Sequence, residues 1–170
     1  MTKDEAIKGS LWQVTVYAAF QRAKIYSDTA GEVQKRGVKQ TLEREINARL
    51  AKYTSAVPEK AHVNNIKEIA KIIDRKWSSA LEHGEIPIGV VQKAFNLYLK
   101  LMWCLKEIPE PPHCPIDKVI IDKLPHKYRK SWTKIRDIAT YNSLIIQLKI
   151  LAKNKSQSLA VWELEIYEKP

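Results

Sequence analysis

Glycine, cysteine, acid and uninterrupted apolar sequence are all scarce in this chain, and each scarcity excludes something. Five glycines in 170 residues are few for a protein full of tight hairpins, whose turns draw on glycine for positive φ. The chain contains no phosphate-cradling glycine loop, no dinucleotide-binding fingerprint and no G-x-S-x-G elbow, so ATP-dependent and α/β-hydrolase chemistry are not indicated. Two cysteines, Cys104 and Cys114, cannot make a disulfide framework, and they lack the paired ligand spacing of a zinc site. No cofactor and no metal is expected. The most apolar run, residues 88–105, still carries Lys93 and Lys100. A membrane span needs about 20 mostly apolar residues with few or no charges, so no membrane partner is expected. The opening MTKDEAIKG has none of the apolar core of a secretory signal, which sets the expectation of a cytoplasmic protein with reduced thiols.

Acids are outnumbered, 19 against 29 lysines and arginines, for a net charge of +10. Such a balance points to a polyanion: nucleic acid, an anionic membrane surface or an acidic protein partner. The length fits one domain over residues 1–170, large enough to bury its own core.

Residues 88–106 are the natural centre. Their few polar residues, Gln92, Lys93, Asn96 and Lys100, fall on one narrow stripe of a helix, and every other face is apolar. A helix apolar nearly all round belongs in a core. Pro87 suits its start and Pro109 its end. The fold expected is all-α: a single-domain bundle of five to seven helices around this buried helix, with a proline-rich corner at 109–115.

The flanking segments support that class. Residues 2–27 carry two capping-box patterns, Thr2 with Glu5 and Ser10 with Gln13. They also carry two apolar series, Ile7-Leu11-Val14-Ala18 and Trp12-Val16-Ala19-Ala23. Alternation at Trp12, Val14 and Val16 leaves a short strand as the lesser reading. A helix over about 30–54, capped through Thr29 and Glu32, would bury Val38, Leu42, Ile46, Leu50 and Tyr53. One over about 59–83 would bury Ile66, Ile69 and Ile73, with Gly84 in the left-handed conformation just past its end. His62 has no partner in register and reads as a surface residue. Pro115 can open a short helix, with His113 as its cap. Residues 126–153 keep a helical period as one piece or two. Residues 158–168 fit either a helix capped by Ser158 or a strand.

The sharpest chemical feature is KLPHKYRKSWTKIR. It brings Lys123, Lys127, Arg129, Lys130, Lys134 and Arg136 together with no acid between Asp122 and Asp137, and interleaves His126, Tyr128 and Trp132. Cations neutralise phosphates and aromatic faces stack unpaired bases. This strip is the expected nucleic-acid-binding surface of a non-catalytic protein, unless Trp132 is a core anchor and the cations only face water. A second reading makes the basic face a protein-interaction module that meets an acidic partner, or a helical homodimer. A third is a small metal-independent RNA hydrolase centred on His113 and His126, with Asp117 beside them. Cys114 with His126 would be its nucleophilic variant. Cys104, between Trp103 and Leu105, reads as a core residue.

Overall fold

The structure is a computed structural model in which residues 2–168 are described. It is all-α. The helices among the described residues are α1 (Lys3–Phe20), α2 (Glu32–Leu50), α3 (Glu59–Trp77), α4 (Ile88–Cys104), α5 (Lys118–Ile121), α6 (Ile138–Lys153) and α7 (Leu159–Glu168). Short 3-10 turns join them, and the one β-type contact among the described residues is an isolated antiparallel bridge between Tyr26 and Leu81. No described helix is long and apolar enough to cross a membrane.

Helix α4 is the hub. It packs on α1, α2, α3 and α6 and on the turn at Trp132–Lys134. Val90, Val91, Ala94, Phe95 and Leu99 have no exposed surface. The apolar cluster around it runs from Trp12 to Trp162. Its end differs from expectation. The chain leaves the helix through Lys106 in the left-handed conformation (φ +62), with Lys106 N–H on the Trp103 carbonyl and Glu107 N–H on that of Met102. This Schellman closure stops the helix before Pro109 has any effect. Cys104 therefore lies at the rim, exposed, and is not the core residue its neighbours imply.

In α1 the capping box is Thr2 with Glu5, while Ser10 bonds back to the Ala6 carbonyl. Of its two apolar series, the one with Trp12, Val16 and Ala19 is buried, and Ile7 and Val14 stay about half exposed (49% and 56%). Trp12 meets Tyr98 of α4 edge to face at 6.1 Å, an arrangement aromatic rings favour. Helix α2 starts at Gly31, capped by Gln34, rather than through Thr29 and Glu32. Gly37 lies under the Trp77 ring: an added Cβ would lie 2.3 Å from it, so the glycine admits that ring. Trp77 also donates its indole N–H to Thr41. Helix α3 is shorter than its periodicity implies, and two 3-10 turns follow it. There Gly84 is left-handed, as its position implies, and so is His83 beside it. Residues 126–137 are two 3-10 turns before α6, and the C-terminal segment is helix, with Ser158 capping α7.

Candidate nucleic-acid interface

The basic strip is held in place by one glycine. A Cβ on Gly89, in the first turn of α4, would lie 1.7 Å from the Trp132 carbonyl oxygen. Only glycine lets backbone approach backbone this closely. Gly89 N–H donates to the Ile135 carbonyl at 3.0 Å, so residues 132–135 lie flat on α4. Trp132 and Ile135 are buried there. One face of the Trp132 ring is covered by the Lys93 ammonium, 4.5 Å from its centroid, and that ammonium lies 3.5 Å from Asp117. Burial lowers the Lys93 pKa, and Asp117 opposes the shift. Trp132 is thus an anchor and offers no face for a base. Tyr128 is half-buried, with Lys127 over its ring at 4.8 Å.

The six cations of the strip do not share one surface. Arg129 and Lys130 line a hollow of about 380 Å³, together with Arg22 from beyond the end of α1 and Lys118 of α5. Lys123 turns to a second hollow, beside Lys155 and Trp162. Arg136 turns to a third, near Lys67 and Lys71, and its guanidinium donates to the Glu85 carbonyl at 3.1 Å. Lys127 and Lys134 are exposed and line none of these three hollows.

Charge is most concentrated at the first hollow. Its one carboxylate, Asp122, is taken by Lys118 at 2.6 Å, and that hydrogen bond holds its carboxyl below the usual range. Arg129 is tethered through Nε to the Leu124 carbonyl at 2.8 Å, which leaves its two terminal nitrogens without a hydrogen-bond partner among the described residues. Arg22 and Lys130 have no ion-pair partner among the described residues. The hydroxyls of Ser131 and Thr133, 2.9 Å apart, lie on the same hollow. Arg22 and Lys118 lie outside the basic strip: Arg22, with Lys24 close by, is far up the chain, and the packing of α1 on α4 brings it here.

The candidates for catalysis are not brought together. His113 is fully buried, and it does not cap α5; Asp117 does, accepting from the Ile120 N–H. Asp117 otherwise faces Lys93 and Tyr167. His126 is exposed in a 3-10 turn. The three share no bonding partner among the described residues. Cys114 is buried, and burial pushes its thiol well above the usual range. Among the described residues no three His, Cys, Asp or Glu side chains gather in a way that could hold a metal ion.

His113 belongs instead to a buried hydrogen-bonded network that also takes in His62. The sequence places His62 at the surface, but the structure buries it completely. Its partners come from other segments, so register within α3 cannot reveal them. The proton order follows from the backbone. Gln92 must turn its NH₂ to the carbonyls of Gly89 and Ile116, at 2.9 and 2.7 Å, while its oxygen takes the Ile116 N–H. That oxygen also faces Asn96, which must present its NH₂, and the same NH₂ reaches Tyr141. The Asn96 oxygen then faces His62 Nε2 at 2.8 Å, so Nε2 carries the proton and Nδ1 accepts from the Tyr53 hydroxyl. On the other branch Tyr141 donates to His113 Nδ1 at 2.7 Å, and His113 Nε2 donates to Glu59, which Lys149 also grips.

Both histidines are neutral in this order. Burial lowers His62 to about 3 and His113 to about 4; the nearby His113 adds to the first shift, and Glu59 partly offsets the second. Burial would raise Glu59, but the bonds from Lys149 and His113 outweigh it and hold the carboxyl low. No side-chain nitrogen or oxygen of this network is buried without a partner, so the network fixes how α3, α4, α6 and the proline-rich corner meet. A second buried contact, Lys100 with Glu163 at 2.8 Å, ties α7 to α4.

No family model, no curated protein and no solved structure matches this chain.

Proposed function

We propose that this chain is a non-catalytic nucleic-acid-binding protein that grips the phosphate backbone through the hollow formed by Arg22, Lys118, Arg129 and Lys130. One observation carries the reading: four cations line a single concavity, and its only carboxylate is already paired. Unpaired cations on a shaped surface are what counterion release requires. The aromatic residues of the strip are committed elsewhere, Trp132 to the core and Tyr128 to packing under Lys127. The hollow therefore offers phosphate contacts without a stacking platform, and duplex should bind at least as well as single strand.

The test is fluorescence anisotropy of labelled duplex and single-stranded oligonucleotides across salt, with the products run on a gel. With Lys118 held by Asp122, the three unpaired cations Arg22, Arg129 and Lys130 give a log–log salt slope of about −2.7, so affinity should fall roughly fortyfold between about 50 and 200 mM salt. Intact oligonucleotides after incubation agree with a binding role, whereas cleavage would replace it with an enzymatic one. Absence of binding at the lower salt removes nucleic acid as the partner.

A further inference from the structure

The hollow is concave, and its shape narrows the ligand. We propose, resting on the reading above, that besides meeting backbone phosphates at its rim the hollow seats the terminal phosphate of a nucleic-acid strand, a phosphomonoester. Internal phosphates lie along the ridges of a duplex and are flanked on both sides by sugar. They can meet the cations at the rim of a hollow without filling it. A strand end projects and can.

The charge agrees. A phosphomonoester carries about −1.5 to −2 at pH 7 and offers three oxygens, against a single charge on an internal diester. Around the hollow stand four cations and one carboxylate, an excess suited to the doubly charged group. The donors agree as well. Arg129, tethered through Nε, keeps its two terminal nitrogens free as a fork that can take two phosphate oxygens. Arg22 and Lys130 approach from separate segments of the chain. The paired hydroxyls of Ser131 and Thr133 keep at least one proton to donate, because only one of the two is used between them. The volume, about 380 Å³, falls in the range of small-ligand sites, about 300–1,000 Å³. That leaves space for the first sugar beside Ile121, which supplies an apolar wall.

The experiment uses the full chain and one short duplex in four forms: unphosphorylated, 5′-phosphorylated, 3′-phosphorylated, and closed by hairpin caps at both ends. A nucleoside 5′-monophosphate and inorganic phosphate serve as competitors. Either phosphorylated form should bind about tenfold tighter than the unphosphorylated duplex, the gain of one charge-assisted contact. The capped duplex should bind no better than the unphosphorylated one. The phosphate advantage should vanish in Arg22→Ala/Lys130→Ala and shrink in Arg129→Lys, which keeps the charge and loses the fork. Equal, salt-sensitive binding of all four duplexes overturns the terminal-phosphate assignment and leaves backbone binding standing. Loss of binding to every duplex overturns both. A mononucleotide that binds as tightly as the phosphorylated duplex makes the occupant a small nucleotide and overturns the strand-end assignment.

Discussion

Between α3, α4 and α6 the polar side chains face one another, whereas beside the end of α1 the cations face water. In the first region Tyr53, His62, Gln92, Asn96, Tyr141 and His113 form a closed order of donors and acceptors. In the second, Arg22 and Lys130 form no ion pair among the described residues, and Asp122 is the only carboxylate on the hollow. Both regions are rich in groups that do chemistry elsewhere, and histidine, tyrosine and glutamate in contact invite a catalytic interpretation. The difference between them is satisfaction. A buried polar group whose every bond is made specifies a fold, and its energy appears as stability. An exposed charge without a partner adds little to stability and remains available to a ligand.

The comparison breaks first if the buried network proves dispensable. Asn96→Leu would strand the His62 Nε2–H and leave Gln92 and Tyr141 each short of a partner. It should cost about 3–5 kcal/mol, from roughly 1–3 kcal/mol for each stranded group, read as a lower urea midpoint. Arg22→Ala/Lys130→Ala should stay within about 0.5 kcal/mol of the parent in the same titration. A small loss for Asn96→Leu would show that some other set of contacts holds α3 to α4.

Acid probes the same region. Both histidines have folded pKa values depressed from 6.5, to about 3 and about 4. Below pH 6.5 the unfolded chain binds protons that the folded chain refuses, so stability rises with pH across this window. The contribution is complete above pH 6.5 and is lost as pH falls toward 4 and then 3. At pH 5 the loss is roughly 2 kcal/mol for each histidine. Urea unfolding at pH 7 and pH 5 measures it. Equal midpoints would mean that neither ring is held neutral.

Gly89→Ala joins the two regions. The added methyl meets the Trp132 carbonyl, so the turn under the hollow must lift from α4. The cost should be about 1–3 kcal/mol, together with weakened nucleic-acid binding. Loss of stability without loss of binding would separate the hollow from its glycine seat. The smallest effect belongs to Asp122→Asn. It frees Lys118 and raises the hollow's charge by one, so affinity should rise about twofold, while the urea midpoint stays where it is, since exposed ion pairs contribute little.

Much of this fold is legible in the sequence because helix periodicity carries it. Val90, Val91, Ala94, Phe95 and Leu99 of α4, the Val38-Leu42-Ile46 stripe of α2 and the Ile66-Ile69-Ile73 stripe of α3 are all buried as their spacing implies. Where a helix is apolar on two faces, as in α1, spacing cannot choose, and the contact of Trp12 with Tyr98 decides. His62 and Cys104 go the opposite way from their neighbours for reasons outside local pattern. The partners of His62 come from other segments, and Cys104 lies where a Schellman turn carries α4 out of the core. The site is legible in part. Arg129 and Lys130 stand out as charge, but Arg22 joins them only through tertiary packing, and Lys123 and Arg136 are turned to other hollows. A run of cations in sequence says how much charge there is, and the backbone path says where it points.

The most direct test of the phosphate site is the salt dependence of duplex binding for the parent chain and Arg22→Ala/Lys130→Ala, measured side by side with their urea midpoints. Each lost phosphate contact lowers the magnitude of the log–log slope by about 1, so the double variant should lose about 2 units of slope with an unchanged midpoint. Identical slopes in the two proteins would contradict the assignment of this hollow as the place where phosphate is held.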